Sequence, residues 1–243
     1  MKIKRTKNCF IVTSSIDVDN NYPIDLWQPG DQRRSDFSNE ERCRQLYYTL
    51  FNIRMIDKQA KVYVVDTSLD YEKYFELEKI YPNITYYPIA KYNEQIAQET
   101  NTNSNKSYCE SILLHEFMIK NQDELRSFDF IIKMSGRYVF EMSVQDLRYK
   151  KFMFAFKRQF MRGDTPDFLI PSTIYAFDSR LLGDFIKILE NAYNTLSENE
   201  LSYVNHSMET LLYQYTREYD SKILYTGWVT RGFGGLWKSY VWY

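Results

Sequence analysis

Short apolar runs alternate with helical spacing along roughly the first 140 residues of this 243-residue chain. β-branched and aromatic residues dominate the short runs, which is typical of buried strands, whereas apolar residues three or four positions apart are typical of one helix face. The predicted strands are NCFIVTSS, KVYVVDTS, NITYYPI and FDFIIKMSGRY. The predicted helices between them are ERCRQLYYTLFNI, YEKYFELEKI and SYCESILLHEFMI. This alternation predicts an α/β fold with a mostly parallel central sheet and helices on both faces.

Polar residues indicate where two of these helices begin. Ser38 with Glu41, and Ser107 with Glu110, have the spacing of a capping box, in which each side chain bonds a backbone amide at the other residue. The segment NEQIAQETNTNSNK has neither helical nor strand periodicity. We therefore expect a surface loop there, leading into the helix that starts near Ser107.

The rest of the chain has a different pattern. FMFAFKRQF and DFLIPSTIYAFDSRLL are predicted strands, the second of which runs into a helix, and SMETLLYQYTREY has the spacing of an amphipathic helix. The tail KILYTGWVTRGFGGLWKSYVWY is rich in glycine and aromatic residues. We expect a single domain over residues 1–243, with one half at 1–140 and a second half at 141–243 that ends in this tail.

Composition narrows the class of protein. The charges nearly balance, with 31 Lys and Arg against 32 Asp and Glu, so no overall field attracts the chain to nucleic acid. The three Cys and two His residues lack the spacing of a disulfide framework or a zinc site. The apolar run after the basic N-terminal residues is too short for a signal peptide or a membrane span. These features predict a soluble protein of a reducing compartment.

Polar residues cluster where the predicted strands end, which is where open α/β sheets bind ligands. The candidate binding residues at these ends are Thr13, Ser14, Asp66, Lys133, Ser135, Gly136 and Arg137. Hydroxyls and a carboxylate suit a ribose or base, and two cations suit a diphosphate. Simpler roles stay open: a turn for the hydroxyls, a helix cap for the carboxylate and a solvated strand end for the cations. No G-x-G-x-x-G or P-loop motif is present, which disfavours dinucleotide dehydrogenases and P-loop enzymes.

The order FIVTSS, capped helix, KVYVVDTS, KSYCESILL and FDFIIKMSGRY resembles the nucleotide-binding half of GT-A-type glycosyltransferases from bacterial surface-polysaccharide clusters. The resemblance covers about residues 1–140 and is one of layout, with SGRY as its most specific phrase. It implies that the strand matching FDFIIK would end in Asp-x-Asp, which holds a divalent metal against the diphosphate of a sugar nucleotide. This sequence departs from that pattern, because Asp129 begins the strand while Lys133 and Arg137 lie at its end.

The departure predicts a site that is metal-independent or only weakly metal-dependent and that needs no other cofactor, with the nucleotide sugar as substrate. Lys133 and Arg137 would stabilise the charge of the leaving diphosphate in place of the ion. Arg137 offers bidentate contact, and Gly136 lets the diphosphate approach the backbone. Lys106, just before the predicted helix, adds a further contact or is an ordinary exposed lysine.

An inverting transfer also needs a base that takes the proton of the acceptor hydroxyl. Glu209 is the first candidate, because it lies in the first turn of SMETLLYQY but off the apolar face, where the resemblance implies a base carboxylate. Asp178 is the alternative base. The simpler roles are stabilisation of the helix dipole by Glu209 and capping of the next helix by Asp178. In the tail, glycines and Arg231 indicate a lid that closes on phosphate, with packing of the aromatic residues as the alternative.

The function predicted from these residues and from the resemblance is transfer of a sugar from a nucleotide-activated donor to a glycan or lipid-linked acceptor of surface-glycan synthesis. We expect it in the cytoplasm and leave peripheral association with the inner face of the membrane open. Two alternatives remain. One is a sugar nucleotidyltransferase, although TSSIDVDNNYPI lacks the glycine-rich, basic loop of that class. The other is a non-catalytic carbohydrate-binding or assembly module.

Overall fold

The structure is a computed structural model that describes residues 6–17, 37–103, 105–142, 154–156, 159–160, 168–170, 172–198, 207–217, 223–226, 228–233 and 240–242. Its strands are β1 (Asn8–Ser14), β2 (Lys61–Asp66), β3 (Ile84–Pro88), β4 (Phe130–Ser135), β5 (Tyr138–Glu141), β6 (Phe154–Phe156), β7 (Gln159–Phe160), β8 (Phe168–Leu169), β9 (Ile174–Asp178), β10 (Ile223–Tyr225), β11 (Val229–Phe233) and β12 (Tyr240–Trp242). Its helices are α1 (Asn39–Ile56), α2 (Leu77–Ile80), α3 (Ile89–Tyr92), α4 (Glu94–Thr102), α5 (Lys106–Lys120), α6 (Gln122–Leu125), α7 (Leu182–Glu198) and α8 (Met208–Thr216). Single 3₁₀ turns lie at Glu72–Tyr74 and Ser179–Leu181.

Seven strands form the central sheet, in the order β10-β6-β9-β4-β1-β2-β3. The neighbours β3, β2, β1 and β4 are parallel, as are β6 and β10. Only β9, among the described strands of this sheet, runs against both of its neighbours, β4 and β6. The predicted α/β fold with a mostly parallel sheet is confirmed, and the reversed strand is a feature that the sequence did not reveal.

Apolar side chains cover both faces of this sheet, which confirms the predicted layers. On one face, α5 contributes Leu113 and Phe117 and α7 contributes Leu189 to a single buried cluster. On the other face, Leu46 and Leu50 of α1 belong to a second cluster. Full burial of a side chain of this size contributes about 1.5–3 kcal/mol, so the two clusters hold the strand ends in place.

A second, antiparallel sheet adjoins the end of β4. The chain turns at Gly136 and Arg137 into β5, which pairs with β11, and β11 pairs with β12. α1 fastens β5 from the side: Thr49 Oγ1 donates to the Tyr138 carbonyl at 2.7 Å, and Asn52 Nδ2 donates to the Phe140 carbonyl at 3.0 Å. The turn after β4 is therefore supported by α1 and by a strand from the C-terminal part of the chain.

Local structure differs from the prediction at several positions. The expected loop from residue 93 to 106 contains a helix, α4. The predicted capping box at Ser38 is confirmed, but α5 is capped by Asn105, whose side chain accepts from the Tyr108 amide, so the capping box predicted at Ser107 was wrong. YEKYFELEKI forms a 3₁₀ turn followed by the four-residue α2 rather than one helix.

None of the helices in the described ranges is long and apolar enough to cross a membrane. The predicted lid falls in part on Gly227, Gly234, Gly235 and Trp237, which lie outside the described residues. Trp228 is described and is buried in the same cluster as α1, as expected if aromatic residues of the tail pack onto the domain.

Candidate functional site

A cavity of about 180 Å³ opens at the carboxyl edge of the sheet. Register explains why the predicted strand ends meet there, since Thr13 lies beside both Ser135 and Val65, and Ser14 lies beside Asp66. The residues that line it are Thr13, Ser14, Ser15, Arg42, Thr67, Thr100, Lys106, Cys109, Glu110, Leu113, Ser135, Gly136 and Arg137. Six of the predicted binding residues are among them: Thr13, Ser14, Lys106, Ser135, Gly136 and Arg137.

Three cations from three separate elements line this cavity, and we call Arg42, Lys106 and Arg137 the cationic wall. Arg42 projects from α1, where its Nε donates to the Ser15 carbonyl at 2.5 Å. Lys106 is the first residue of α5, and Arg137 lies in the turn after β4. Within the described part of the chain, Arg137 has no hydrogen-bond or ion-pair partner, so its guanidinium can meet an anion without breaking an existing contact.

Arg42 is a site residue that was not predicted from the sequence, although the sequence holds a signal for it. Arg42 continues the buried stripe of α1, which also contains Leu46, Thr49 and Ile53 at helical spacing. A charged residue at a buried stripe position needs a polar partner or a ligand. An arginine that extends an apolar stripe at the first turn of a helix therefore indicates a site near that helix end.

Lys133 lies beneath the cavity rather than on its surface. Its side chain is 0% exposed, and its ammonium forms an ion pair with Glu110. The same group donates to the Ser172 carbonyl and, at 3.2 Å, to Ser135 Oγ. An ammonium has three N–H donors, and these three partners use all of them. The prediction that Lys133 contacts the diphosphate is corrected accordingly: here Lys133 is a buried counter-ion.

Glu110 carries the charge that Lys133 balances, and it is the one carboxylate among the described residues that line the cavity. Its Oε1 bonds Lys133 and accepts from Thr13 Oγ1 at 3.3 Å. Its other oxygen, Oε2, has no partner among the described residues. A fixed carboxylate with one oxygen unused is suited to accept a hydroxyl from a ligand.

Ser172 links this pair to Glu209. Its carbonyl accepts from Lys133, and its hydroxyl donates to Glu209 Oε1 at 2.5 Å. We call Lys133, Ser172 and Glu209 the polar layer. The phenol of Tyr175 is buried close to it and has no hydrogen-bond partner within the described residues. Burial, followed by the charges of Glu110 and Glu209, raises the pKa of this phenol, as expected if both carboxylates lie near it.

Asp66 holds the strand ends together and does not line the cavity. Its carboxylate is fully buried and accepts from the Ile16 amide at 3.2 Å, the Ser68 amide at 2.8 Å and the Tyr86 hydroxyl at 3.1 Å. Burial and this carboxylate together raise the pKa of Tyr86. Asp66 thus fixes the loops after β1 and β2, and the predicted contact to a ribose or base is replaced by this positioning role.

Gly136 is required by packing. A Cβ at this position would lie 3.0 Å from Leu46 Cδ1 and 3.1 Å from the Thr13 carbonyl oxygen. Its amide donates to that same carbonyl at 2.9 Å. The turn therefore packs closely against β1 and α1, and this close packing by itself explains why the residue is glycine.

Glu209 belongs to the polar layer through its bond with Ser172 and is not among the residues that line the cavity. Two further predicted residues belong neither to the cavity nor to the polar layer. Asp178 pairs with Phe130 at the start of β4, because β9 runs antiparallel, and that position is about 16 Å from the end of β4. Its carboxylate caps the following turn and binds Arg180, with Nη2 to Oδ2 at 2.5 Å, so its role as alternative base is corrected to a structural one. Arg231 lies on β11 and forms an ion pair with Glu141 at 2.6 Å, instead of reaching into the cavity.

A metal centre has no ready ligand set in the part of the chain that the structure describes. No three His, Cys, Asp or Glu side chains come together there. The described cysteines are free thiols: Cys9 is buried, while Cys43 and Cys109 are partly exposed.

Comparison with known proteins supports the fold. No protein-family model and no curated protein matches the sequence. The solved glycosyltransferase GlyE of Streptococcus pneumoniae TIGR4 is similar in structure, with a TM-score of 0.51 at 9% identity over 92% of this chain and 46% of GlyE. This chain therefore spans less than half the length of GlyE.

The galactosyltransferase LgtC, solved with donor and acceptor sugar analogs, is also similar, with a TM-score of 0.50 at 8% identity over 90% of this chain and 73% of LgtC. An active-site mutant of LgtC gives a TM-score of 0.53 at 10% identity over 90% of this chain and 72% of that protein. These neighbours are GT-A glycosyltransferases. At such low identity the likeness concerns the fold alone, and this chain has the GT-A fold.

Proposed function

We propose that this chain transfers a glycosyl group from a nucleotide-sugar donor to a hydroxyl of a glycan acceptor. The observation that carries the proposal is that the cationic wall lines one cavity at the carboxyl edge of a GT-A sheet together with Glu110, the one carboxylate among the described lining residues. This arrangement brings cations and a carboxylate into one site. It suits a ligand that carries both an anionic group and hydroxyls.

The cationic wall suits the diphosphate of such a donor. Breaking the bond between sugar and diphosphate leaves an electron pair on the phosphate oxygen, and positive groups in fixed positions stabilise that charge. Arg137 and Arg42 are able to bind phosphate oxygens in bidentate fashion, while Lys106 supplies a point charge. Hydroxyls at the ends of β1 and β4, from Ser14 and Ser135, supply donors for the nucleotide.

Glu110 and Glu209 take separate roles in this proposal. Glu110 Oε2 accepts a hydroxyl of the transferred sugar. In an inverting transfer, the acceptor oxygen forms a bond to the anomeric carbon, the bond from that carbon to the diphosphate breaks, and the acceptor proton passes to Glu209. The bond from the Ser172 hydroxyl orients the Glu209 carboxylate for that step.

We further propose that the cationic wall makes a divalent metal unnecessary. Three cationic side chains supply charge where a metal would otherwise lie, so EDTA is expected to leave activity largely intact. Full loss of activity in EDTA with recovery on adding Mn²⁺ contradicts this part of the proposal only. The acceptor, in this proposal, is a precursor of a cell-surface glycan that is assembled in the cytoplasm.

A binding screen tests the proposed function directly. The screen compares sugar conjugates of UDP, GDP, CMP and dTDP. We expect the conjugates of one of these nucleotides to raise the melting temperature of the chain, both with and without Mn²⁺, because ligands that bind only the folded state stabilise it. A ligand at 100 times its dissociation constant adds about 2.7 kcal/mol. Stabilisation by free glycans alone favours the binding module, and formation of a sugar nucleotide from a nucleoside triphosphate favours the nucleotidyltransferase. No stabilisation by any nucleotide overturns the proposal.

A further inference from the structure

Two buried hydroxyls near the polar layer have no hydrogen-bond partner among the described residues: Thr173 Oγ1 and Tyr175 Oη. Tyr175 as a whole is only 2% exposed. An unpaired buried hydroxyl is unfavourable, because it loses its hydrogen bonds to solvent and gains none in return. Native proteins satisfy nearly all such groups, either with a protein atom or with a bound water molecule. Two of them only two residues apart indicate a shared partner.

Strand pairing places both hydroxyls beside the polar layer. Tyr175 lies opposite Lys133, and the Ser135 amide donates to the Thr173 carbonyl at 3.0 Å, so the pairing of β9 with β4 continues to Thr173. Residues two apart on a strand share one face of the sheet. The side chains of Lys133 and Ser135 are bonded to each other at 3.2 Å on this face. The Lys133 ammonium lies 5.8 Å from the centre of the Tyr175 ring.

Glu209 reaches the same place from α8. The Ile170 amide donates to the Glu209 backbone carbonyl at 3.3 Å, and the Ser172 hydroxyl donates to Glu209 Oε1 at 2.5 Å. These bonds fasten the start of α8 to the segment that leads into β9. The second carboxylate oxygen, Oε2, has no partner among the described residues. Burial, followed by the charges of Glu110 and Glu209, raises the pKa of the Tyr175 phenol, so the phenol keeps its proton and is a donor.

We propose that one water molecule is bound between the hydroxyls of Thr173 and Tyr175 and the Glu209 carboxylate. The phenol donates to the water oxygen, and the water donates to Glu209 Oε2 and to Thr173 Oγ1. A buried water typically makes about three such bonds, each to a group that is otherwise unsatisfied. The phenol does not bond the carboxylate directly, and a bridging water joins two polar groups that are too far apart for a direct bond.

The bound water gives the Glu209 carboxylate a second support. Ser172 holds Oε1 and the water holds Oε2, while the remaining lone pairs of both oxygens stay able to accept a proton. This consequence rests on the proposed function, in which Glu209 takes the proton of the acceptor hydroxyl. Thr173 and Tyr175 are then positioning residues that act through the water. The water site itself is independent of that function.

A crystal structure of the full chain tests the site directly. We expect electron density for one water molecule within about 3 Å of Tyr175 Oη and of Glu209 Oε2. The same density should be missing from a crystal structure of Tyr175→Phe. A phenol that bonds a protein atom in place of the water, or that has no partner at all, overturns the proposal.

Urea denaturation gives a second measurement, on a variant that keeps the Tyr175 ring and its contact with Phe185. If the water bonds the hydroxyl, Tyr175→Phe should raise the equilibrium constant of unfolding by about 5- to 10-fold. Combining it with Thr173→Val should cost less than the product of the two single effects, because both changes remove the same water. A Tyr175→Phe protein that is as stable as the wild type, or more stable, overturns the proposal.

Tyr193→Phe is the matched control. Tyr193 lies on α7, is partly exposed, and its hydroxyl has no hydrogen-bond partner among the described residues. Its ring contacts with Tyr108 and His115 do not need the hydroxyl. The control should therefore change the equilibrium constant of unfolding by less than about twofold. An effect in Tyr193→Phe as large as in Tyr175→Phe overturns the proposal.

Steady-state kinetics tests the positioning role separately. Tyr175→Phe should lower kcat by about 10-fold or more and leave the KM of the donor unchanged, because the base is misplaced while the donor site is intact. Tyr193→Phe should change neither constant. An unchanged kcat in a Tyr175→Phe protein that has lost the water overturns the positioning role. If no nucleotide binds the wild type, the proposed function fails, and the crystal structure and urea denaturation still decide the water site.

Discussion

The cationic wall and the polar layer meet at the end of β4, yet they hold their charges in different ways. Arg137 lines the cavity and has no partner among the described residues. Lys133, four residues earlier, is fully buried and its three donors are all used by protein groups. One cation is left for a ligand, whereas the other neutralises Glu110.

The difference teaches that a strand end with two cations need not offer both to a ligand. A buried ammonium is tolerated only when it is paired and hydrogen-bonded. By meeting that condition, Lys133 fixes the position of Glu110 and of the Ser172 carbonyl. The polar layer therefore builds the floor of the site, and the cationic wall is expected to carry its affinity for anions.

The largest expected effect is a loss of turnover on substitution of Glu209, which tests whether the polar layer takes part in the reaction. Glu209→Gln keeps the size of the side chain and removes its basicity, so turnover should fall by about 10²–10⁴-fold while donor binding is nearly unchanged. Steady-state kinetics and calorimetric titration of the donor measure the two quantities. Glu190→Gln, a change at an exposed glutamate of α7, is the control. Unchanged turnover would confine the polar layer to a structural role.

The next effect concerns stability. Lys133→Met leaves the Glu110 carboxylate and the Ser172 carbonyl without their partner, so the free energy of unfolding should fall by about 3–5 kcal/mol. Urea denaturation followed by circular dichroism measures it. Lys79→Met, at an exposed lysine, should change it by less than about 0.5 kcal/mol. Adding Glu110→Gln to Lys133→Met should recover part of the loss, because it removes the uncompensated charge. If Lys133→Met were as mild as the control, the ion pair would not be a buried one.

For the cationic wall, we expect substitution to lower ligand affinity and to leave stability nearly unchanged. Arg137→Ala should weaken binding of the nucleotide found in the screen by about 10- to 150-fold, the value of one charge-assisted contact of about 1.5–3 kcal/mol. Its free energy of unfolding should stay within about 0.5 kcal/mol of the wild type, since no described partner loses a contact. Arg137→Lys should restore only part of the affinity.

Calorimetric titration compares these variants with Arg126→Ala. Arg126 is exposed and precedes β4, at the other edge of the sheet, so its removal should leave affinity unchanged. A loss of stability in Arg137→Ala that matches its loss of affinity would erase the distinction between the two regions.

The smallest effect tests the turn that joins them. Gly136→Ala places a methyl group within 3.1 Å of the Thr13 carbonyl and should cost about 1–3 kcal/mol of unfolding free energy. Gly183→Ala in α7 is the matched control, because nothing lies within 4 Å of its added methyl group. Replacing glycine by alanine inside a helix stabilises it by about 1 kcal/mol. Gly183→Ala should therefore raise the melting temperature, whereas Gly136→Ala should lower it.

Most of the sheet could be predicted from the sequence because its strands are continuous apolar runs. Helix α4 could not be predicted, since its buried face consists of Ala97, Thr100 and Asn101 and shows no apolar periodicity. Asn101 explains why a polar face is buried there, because its Nδ2 donates to the Thr67 carbonyl at 2.6 Å. Periodicity reports which residues are apolar, and it fails where a buried face is held by hydrogen bonds.

The site was predictable to the level of strand ends but not to the level of individual side chains. Thr13, Ser135 and Arg137 meet because parallel strands bring their carboxyl ends to one edge. Predicting the position of Asp178 requires the direction of β9, which the spacing of apolar residues does not encode. Predicting that Lys133 is buried requires knowing that it pairs with Glu110. Glu110 lies 23 residues away in the chain, and its spacing from Ser107 indicated only a helix cap.

The pairing of β5 with β11 has a consequence for synthesis on the ribosome. Val139 of β5 lies beside Arg231 of β11, a partner that is translated about ninety residues later. The parallel core of β1, β2, β3 and β4 needs only earlier residues, so it is able to assemble while the chain is still growing. The strand that follows the Gly136 turn has to wait for its neighbour, and a nascent chain halted before β11 would display the ends of the core strands with that turn held by α1 alone.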